Sequence, residues 1–132
     1  MDRVFLDANV LFSAAYRPEA GVLKLWKLKG VELITSTYAL QEARINLDQE
    51  EQRARLDRLA ESMRIFPGYF EQELPKGIKL HPKDRPILAT ALGAKATHLL
   101  TGDVSHFGQY YGQTIAGVLI LPPADYLLAR FR

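Results

Sequence analysis

Short unbroken apolar runs alternate along this chain with stretches whose apolar residues recur at helical spacing. Residues 3–6, Arg-Val-Phe-Leu, read as a buried strand, and residues 9–16 as a short helix broken by Arg17-Pro18-Glu19. Over residues 20–29, Val22, Leu23, Leu25, Trp26 and Leu28 predict a well-buried helix that Gly30 stops. Residues 31–35 form a second strand, Ser36 and Thr37 are candidate caps, and a helix follows over about 38–47. Near residues 49–64, Leu56, Leu59, Ala60 and Met63 fall at i, i+3, i+4 and i+7, with a Glu51–Arg55 pair on the solvent side. Pro67-Gly68 and Pro75-Lys76-Gly77 bracket a less regular stretch, and residues 64–66 suit a short strand. A helix starting near 82–84 carries Ile87, Leu88, Ala91 and Leu92, with Pro86 tolerable only in its first turn. Residues 98–101 and 117–121 are further strands. Pro122-Pro123 opens a terminal helix through Tyr126, Leu127, Leu128 and Phe131.

Strands of continuous apolar character alternating with helices imply a parallel sheet covered on both faces. The expected fold class is therefore α/β, a three-layer α/β/α sandwich around a twisted, mainly parallel sheet. At 132 residues it is one domain, 1–132, without repeat or linker. No stretch approaches the ~20 apolar residues of a membrane span, and a strand beginning at residue 3 leaves no room for a signal peptide. The absence of cysteine removes disulfides and thiolate chemistry and suits a cytoplasmic protein.

A formal charge of +2 says little about partners by itself. Distribution changes the picture. Asp7 closes the first strand, Glu42 lies early in the helix after the second, Asp84 opens the Asp-Arg-Pro-Ile-Leu-Ala segment, and Asp103 follows Leu-Leu-Thr-Gly. Strand C-termini and helix N-termini share one edge of a parallel sheet, where ligand crevices form. Singly, each acid has an ordinary explanation: Asp7 and Asp84 as helix-terminal anions, Glu42 as a surface charge, Asp103 as a turn residue. Gathered at one edge, four carboxylates require a cation. Hard oxygen donors without nearby His or Cys select Mg²⁺ or Mn²⁺, ions that polarise phosphodiesters and activate water. The surface outside such a pocket is more basic than the average, which suits a polyanion. Asn9 can orient Asp7, Thr101 can hydrogen-bond a carboxylate or phosphate, and Arg85 and His106 are candidate substrate contacts. Arg53, Arg55 and Arg58 either track an RNA backbone or form a solvated face. His98 and His81 read as structural and loop residues.

These segments together, Val4-Phe5-Leu6-Asp7-Ala8-Asn9-Val10-Leu11, Glu42, Lys83-Asp84-Arg85-Pro86-Ile87-Leu88-Ala89 and Leu100-Thr101-Gly102-Asp103, resemble the signature of PIN domains over essentially the whole chain. The likeness is strongest to small prokaryotic single-domain, VapC-like toxin ribonucleases. It implies a Mg²⁺- or Mn²⁺-dependent endoribonuclease acting on RNA. Asp7, Glu42, Asp84 and Asp103 then serve as catalytic metal ligands, supported by Asn9 and Thr101. It also implies an antitoxin partner and, in many relatives, a homodimer, although Tyr126, Leu127, Leu128 and Phe131 equally suit packing on the chain's own sheet. One departure stands out: many PIN domains carry a further acid soon after the last Asp, where this chain reads Val104-Ser105-His106-Phe107.

Two other readings compete. A haloacid-dehalogenase-like phosphatase also places Asp after its first strand, but needs an acid two residues on, where this chain has Asn9. A non-catalytic RNA- or protein-binding module would use the same fold with a degenerate site.

Overall fold

The apolar runs lie where burial on both faces demands them, in the middle of a six-stranded sheet. The computed structural model describes residues 1–67 and 74–131. Strands β1 (Asp2–Leu6), β2 (Val31–Ser36), β3 (Arg64–Phe66), β4 (His98–Leu100), β5 (Thr114–Ile115) and β6 (Val118–Leu121) are ordered β3-β2-β1-β4-β6-β5. All neighbouring pairs are parallel except β5–β6, a small antiparallel hairpin. Helices α1 (Ala8–Tyr16), α2 (Thr37–Asn46), α3 (Glu50–Ala60), α4 (Arg85–Gly93), α5 (Val104–Phe107) and α6 (Pro123–Arg130) surround the sheet on both faces. None of the described helices is long and apolar enough to cross a membrane.

The chain winds outward from β1 through β2 to β3, then returns to lay β4 on the other side of β1. Beyond the C-terminal ends of β1 and β4 is the crevice such a reversal creates. Beneath it Val4, Phe5, Leu6, Ile34, Leu99, Leu100 and Ile120 are fully buried, packed with Leu11 of α1 and with Ile87 and Leu88 of α4. Phe5→Ala, in the central strand, is expected to cost about 3–5 kcal/mol of unfolding free energy, readable as a lowered urea midpoint.

Four local outcomes differ from the sequence pattern, the smallest being the two-residue strand β5, which no apolar run announces. The helix predicted over 20–29 is a 3-10 segment, Gly21–Lys27. Of its apolar residues only Leu25 is fully buried; Val22, Leu25 and the capping Leu28 fall at the three-residue spacing of a 3-10 turn, with Leu23 and Trp26 between them half-buried. Trp26 anchors it, donating its indole N–H to the carbonyl of Leu59 at 3.1 Å. Helix α3 stops at Ala60 rather than near 64, which frees residues 64–66 to pair with β2. Residues 104–110, with no element assigned from the pattern, form α5 and a second 3-10 turn, Gly108–Tyr110. Most of the stretch expected to be irregular, residues 68–73, falls outside the described residues. In the terminal helix Tyr126 is buried and donates its hydroxyl to Asp2 at 2.7 Å, whereas Leu128 and Phe131 stay exposed. Packing on the chain's own sheet therefore accounts for only part of that apolar segment.

Candidate metal centre

Asp7 follows the last residue of β1 and caps α1, its Oδ1 accepting the Ala8 N–H at 2.7 Å. The capping role leaves Oδ2 facing the crevice side of β4. There Oδ2 accepts the Thr101 hydroxyl at 2.8 Å and the Asn9 side-chain amide at 3.1 Å. Asn9 is itself fixed by the Gly102 N–H, which donates to its Oδ1 at 2.7 Å. A Cβ at Gly102 would sit 3.3 Å from that oxygen, so glycine is what lets the backbone come so close. Thr101 is fully buried, and its hydroxyl also accepts the Asp103 N–H at 3.2 Å. Tyr111 holds the same turn, donating its hydroxyl to the Thr101 carbonyl at 2.7 Å. Asn9, Thr101 and Gly102 thus splice the ends of β1 and β4 into one rigid support.

Asp103 caps the short α5: its Oδ1 accepts the His106 N–H at 3.1 Å. Asp84 occupies the cap position of α4 but makes no side-chain capping bond. Its carboxylate is buried, with Oδ2 2.7 Å from His106 Nδ1, while Asp103 Oδ2 lies 2.9 Å from the same nitrogen. The approach to Asp84 lacks hydrogen-bond alignment: both Asp84 Oδ2 and His106 Nδ1 are sealed from solvent without a hydrogen-bond partner. Glu42, half-buried, lies on α2, whose start is capped by Ser36 Oγ accepting the Ala39 N–H. Tyr38 ties that end of α2 to the loop before α4 through a 2.7 Å bond from its hydroxyl to the Lys83 carbonyl.

All four acids, with Asn9, Asn46 and Lys83, line one cleft of about 400 Å³. Burial pushes the Asp7 carboxyl up to about 6; the Thr101 and Ala8 hydrogen bonds oppose this, and the Asp84 and Glu42 charges add to it. Asp84 is also raised, by burial first, with the nearby His106 acting to lower it and the Asp103 charge to raise it. Buried carboxylates in mutual repulsion, one with an orphaned oxygen, form a donor set that a divalent cation would complete. The residues present therefore fit such an ion. Thr101→Val removes the strongest donor to Asp7 Oδ2. The expected result is a further rise in the Asp7 midpoint, followed by carboxyl NMR, and a loss of about 1.5–3 kcal/mol of stability at pH 8.

The structure also sorts the basic candidates. Lys83 lines the cleft, whereas its neighbour Arg85 is exposed and outside it. Arg53 donates to the Leu47 carbonyl at 2.8 Å, and Arg55 to the Ala15 carbonyl at 2.6 Å and to Glu51 at 3.1 Å. These two arginines secure loop and helix ends within the fold. His106 lies among the carboxylates, so the donor set is not oxygen alone as the sequence suggests. The clue was the Asp103–His106 spacing, which places both on one helical turn. Asp84, the third member, is remote in sequence.

Residues 3–105 match the family described as PIN domain. Among solved structures, the chain is similar to VapBC2 from Rickettsia felis bound to a DNA fragment from their promoter, at 19% identity over 91% of this chain and 98% of that one, with a TM-score of 0.66. It is similar to VapBC-1 from nontypeable Haemophilus influenzae, at 16% identity over 92% of this chain and 98% of that one, with a TM-score of 0.60. FitAcB from Neisseria gonorrhoeae is a further likeness, at 21% identity over 92% of this chain and 98% of that one, with a TM-score of 0.57. At these identities the likeness is one of fold. No curated protein matches the sequence closely enough to count as a relative.

Proposed function

The chain belongs to the PIN-domain family, and from that premise we propose that it is a metal-dependent endoribonuclease, the toxin of a two-component pair. The observation that carries this reading is the convergence of Asp7, Glu42, Asp84 and Asp103 on one cleft at the edge where β1 and β4 end. Asp7, Asp84 and Asp103, with Glu42 at the more open side, would hold Mg²⁺ or Mn²⁺. When bound, such an ion polarises a phosphodiester and makes water nucleophilic near neutral pH. Asn9 and Thr101 keep the Asp7 carboxylate aimed into the cleft, so that its orientation is set before substrate arrives. Lys83, on the cleft wall, supplies positive charge for an RNA phosphate. The residue at position 9 is an amide, which argues against the phosphatase reading that needs a proton donor there.

The partner surface we infer is an apolar groove of about 750 Å³ between α1, the 3-10 segment and α6, lined by Phe12, Tyr16, Val22, Leu127, Leu128 and Phe131. Arg17 and Lys24 line it too, and Phe12 also lines the acidic cleft. An antitoxin whose docking segment has an apolar helical face and acidic flanks would fit this continuous surface; a second copy of the chain would compete for it. The cytoplasm is the compartment in which such a pair would act.

Purified protein is expected to cleave single-stranded and structured RNA with Mg²⁺ or Mn²⁺ present, and to stop on EDTA addition. A folded protein that binds neither ion and leaves RNA intact would overturn the enzymatic reading in favour of a binding module.

A further inference from the structure

We propose that His106 is itself a metal ligand, and that its nitrogen makes the centre select Mn²⁺ over Mg²⁺. The inference rests on the metal centre proposed above and narrows it.

His106 Nδ1 stands 2.7 Å from Asp84 Oδ2 and 2.9 Å from Asp103 Oδ2. Adjacent ligands on an octahedral ion with bonds of ~2.1 Å are separated by ~3 Å, so His106 Nδ1 stands from each carboxylate at the spacing of a coordination neighbour, and one ligand atom from each of the three residues lies within 4.8 Å of the others. Asp84 is more than nine-tenths buried, yet its Oδ2 has no hydrogen bond, and neither has His106 Nδ1. Two polar atoms are thus sealed together at contact distance without the bond that would satisfy them. A shared ion satisfies both.

The surrounding structure holds the imidazole in this position. Its backbone N–H donates to Asp103 Oδ1, which uses one carboxylate oxygen for the α5 cap and leaves the other for the centre. The ring stacks on His81 with centroids 5.3 Å apart and planes 14° from parallel. Asp84, at the start of α4, has a helical backbone and is followed two residues on by Pro86, which has no N–H to offer, so its carboxylate makes no capping bond. Mg²⁺ prefers oxygen ligands and keeps its waters, whereas imidazole suits first-row transition ions. A site of two carboxylates and one imidazole therefore discriminates against Mg²⁺.

The competing role for His106 is that of a protonated counter-ion between two acids. The two roles predict opposite results. If His106 is a ligand, His106→Ala weakens Mn²⁺ binding about tenfold or more, with little change for Mg²⁺. If it is a counter-ion, its removal leaves Mn²⁺ affinity unchanged or raises it. Pulsed EPR of Mn²⁺ bound to the wild-type protein provides a readout that needs no variant to fold. Coupling to a directly bound ¹⁴N is expected, retained in His81→Ala and lost in His106→Ala. Mn²⁺ bound without such coupling, and released by Asp103→Asn, would overturn the role of His106 while leaving the metal centre standing. If the wild-type chain binds no Mn²⁺ at all, the metal centre and this inference fall together.

Discussion

Asp7→Asn is expected to abolish metal-dependent RNA cleavage while leaving the fold intact. The substitution keeps the size of the side chain and, through its amide oxygen, the cap on Ala8 N–H. It removes the negative charge at the one acid held from both adjoining strands, by Asn9 after β1 and Thr101 after β4. An amide nitrogen in place of Oδ2 also faces the Asn9 side-chain amide donor-to-donor, so the preorganised geometry is lost along with the charge. The fall in turnover should exceed the ~100-fold typical of losing an outer-sphere partner, because the group removed is a proposed ligand. The checks are an RNA cleavage series against Mn²⁺ concentration and a circular-dichroism melt of both proteins. Retained cleavage at comparable metal concentration would remove Asp7 from the centre.

The same carboxylate should impose a pH-dependent burden on the metal-free protein. Burial raises Asp7 from 3.8 to about 6 in the folded chain. Between those values the folded state binds more protons than the unfolded state, so stability falls as pH rises. The burden is absent below the unfolded value and complete above about 6, where it amounts to roughly 3 kcal/mol. Asp84 shifts in the same direction. In EDTA, the unfolding free energy of the wild-type chain should therefore fall, relative to Asp7→Asn, by about that amount between pH 4 and pH 7. Added Mn²⁺ should restore stability to the wild-type protein at neutral pH and not to the variant, because the ion binds the charged, folded form. A stability difference that stays flat across this window would show that Asp7 ionises without penalty.

Both expectations come from a carboxylate placed where a helix cap and a metal ligand coincide. Asp7 was legible as either from the sequence, and the structure shows the two readings to be compatible: one oxygen caps α1 and the other faces the cleft. Asp84 resolved differently. An anion favoured at a helix start was a sufficient explanation from sequence; Asp84 does stand at the start of α4, without a capping bond, and it also faces His106. Arg85, read from sequence as a candidate substrate contact or a counter-charge to Asp84, is exposed in the first turn of α4 outside the cleft, while Lys83 lies on the cleft wall. The groove beside α6 was not legible, since Leu128 and Phe131 obey the same helical spacing as core residues.

The sequence by itself determined the five parallel strands, though not the short antiparallel β5, and the edge at which the acids gather. Those features follow from local regularities: a strand buried on both faces must be apolar without interruption, and Val4-Phe5-Leu6 and Leu99-Leu100 are. The tertiary structure alone decided which acids touch His106 and whether the imidazole joins them. That contact exists because the chain returns from β3 to lay β4 beside β1, bringing α4 and α5 to the same crevice. Side-chain spacing along one helix is fixed within a few residues, but the approach of Asp84 to His106 depends on the packing of every element between them.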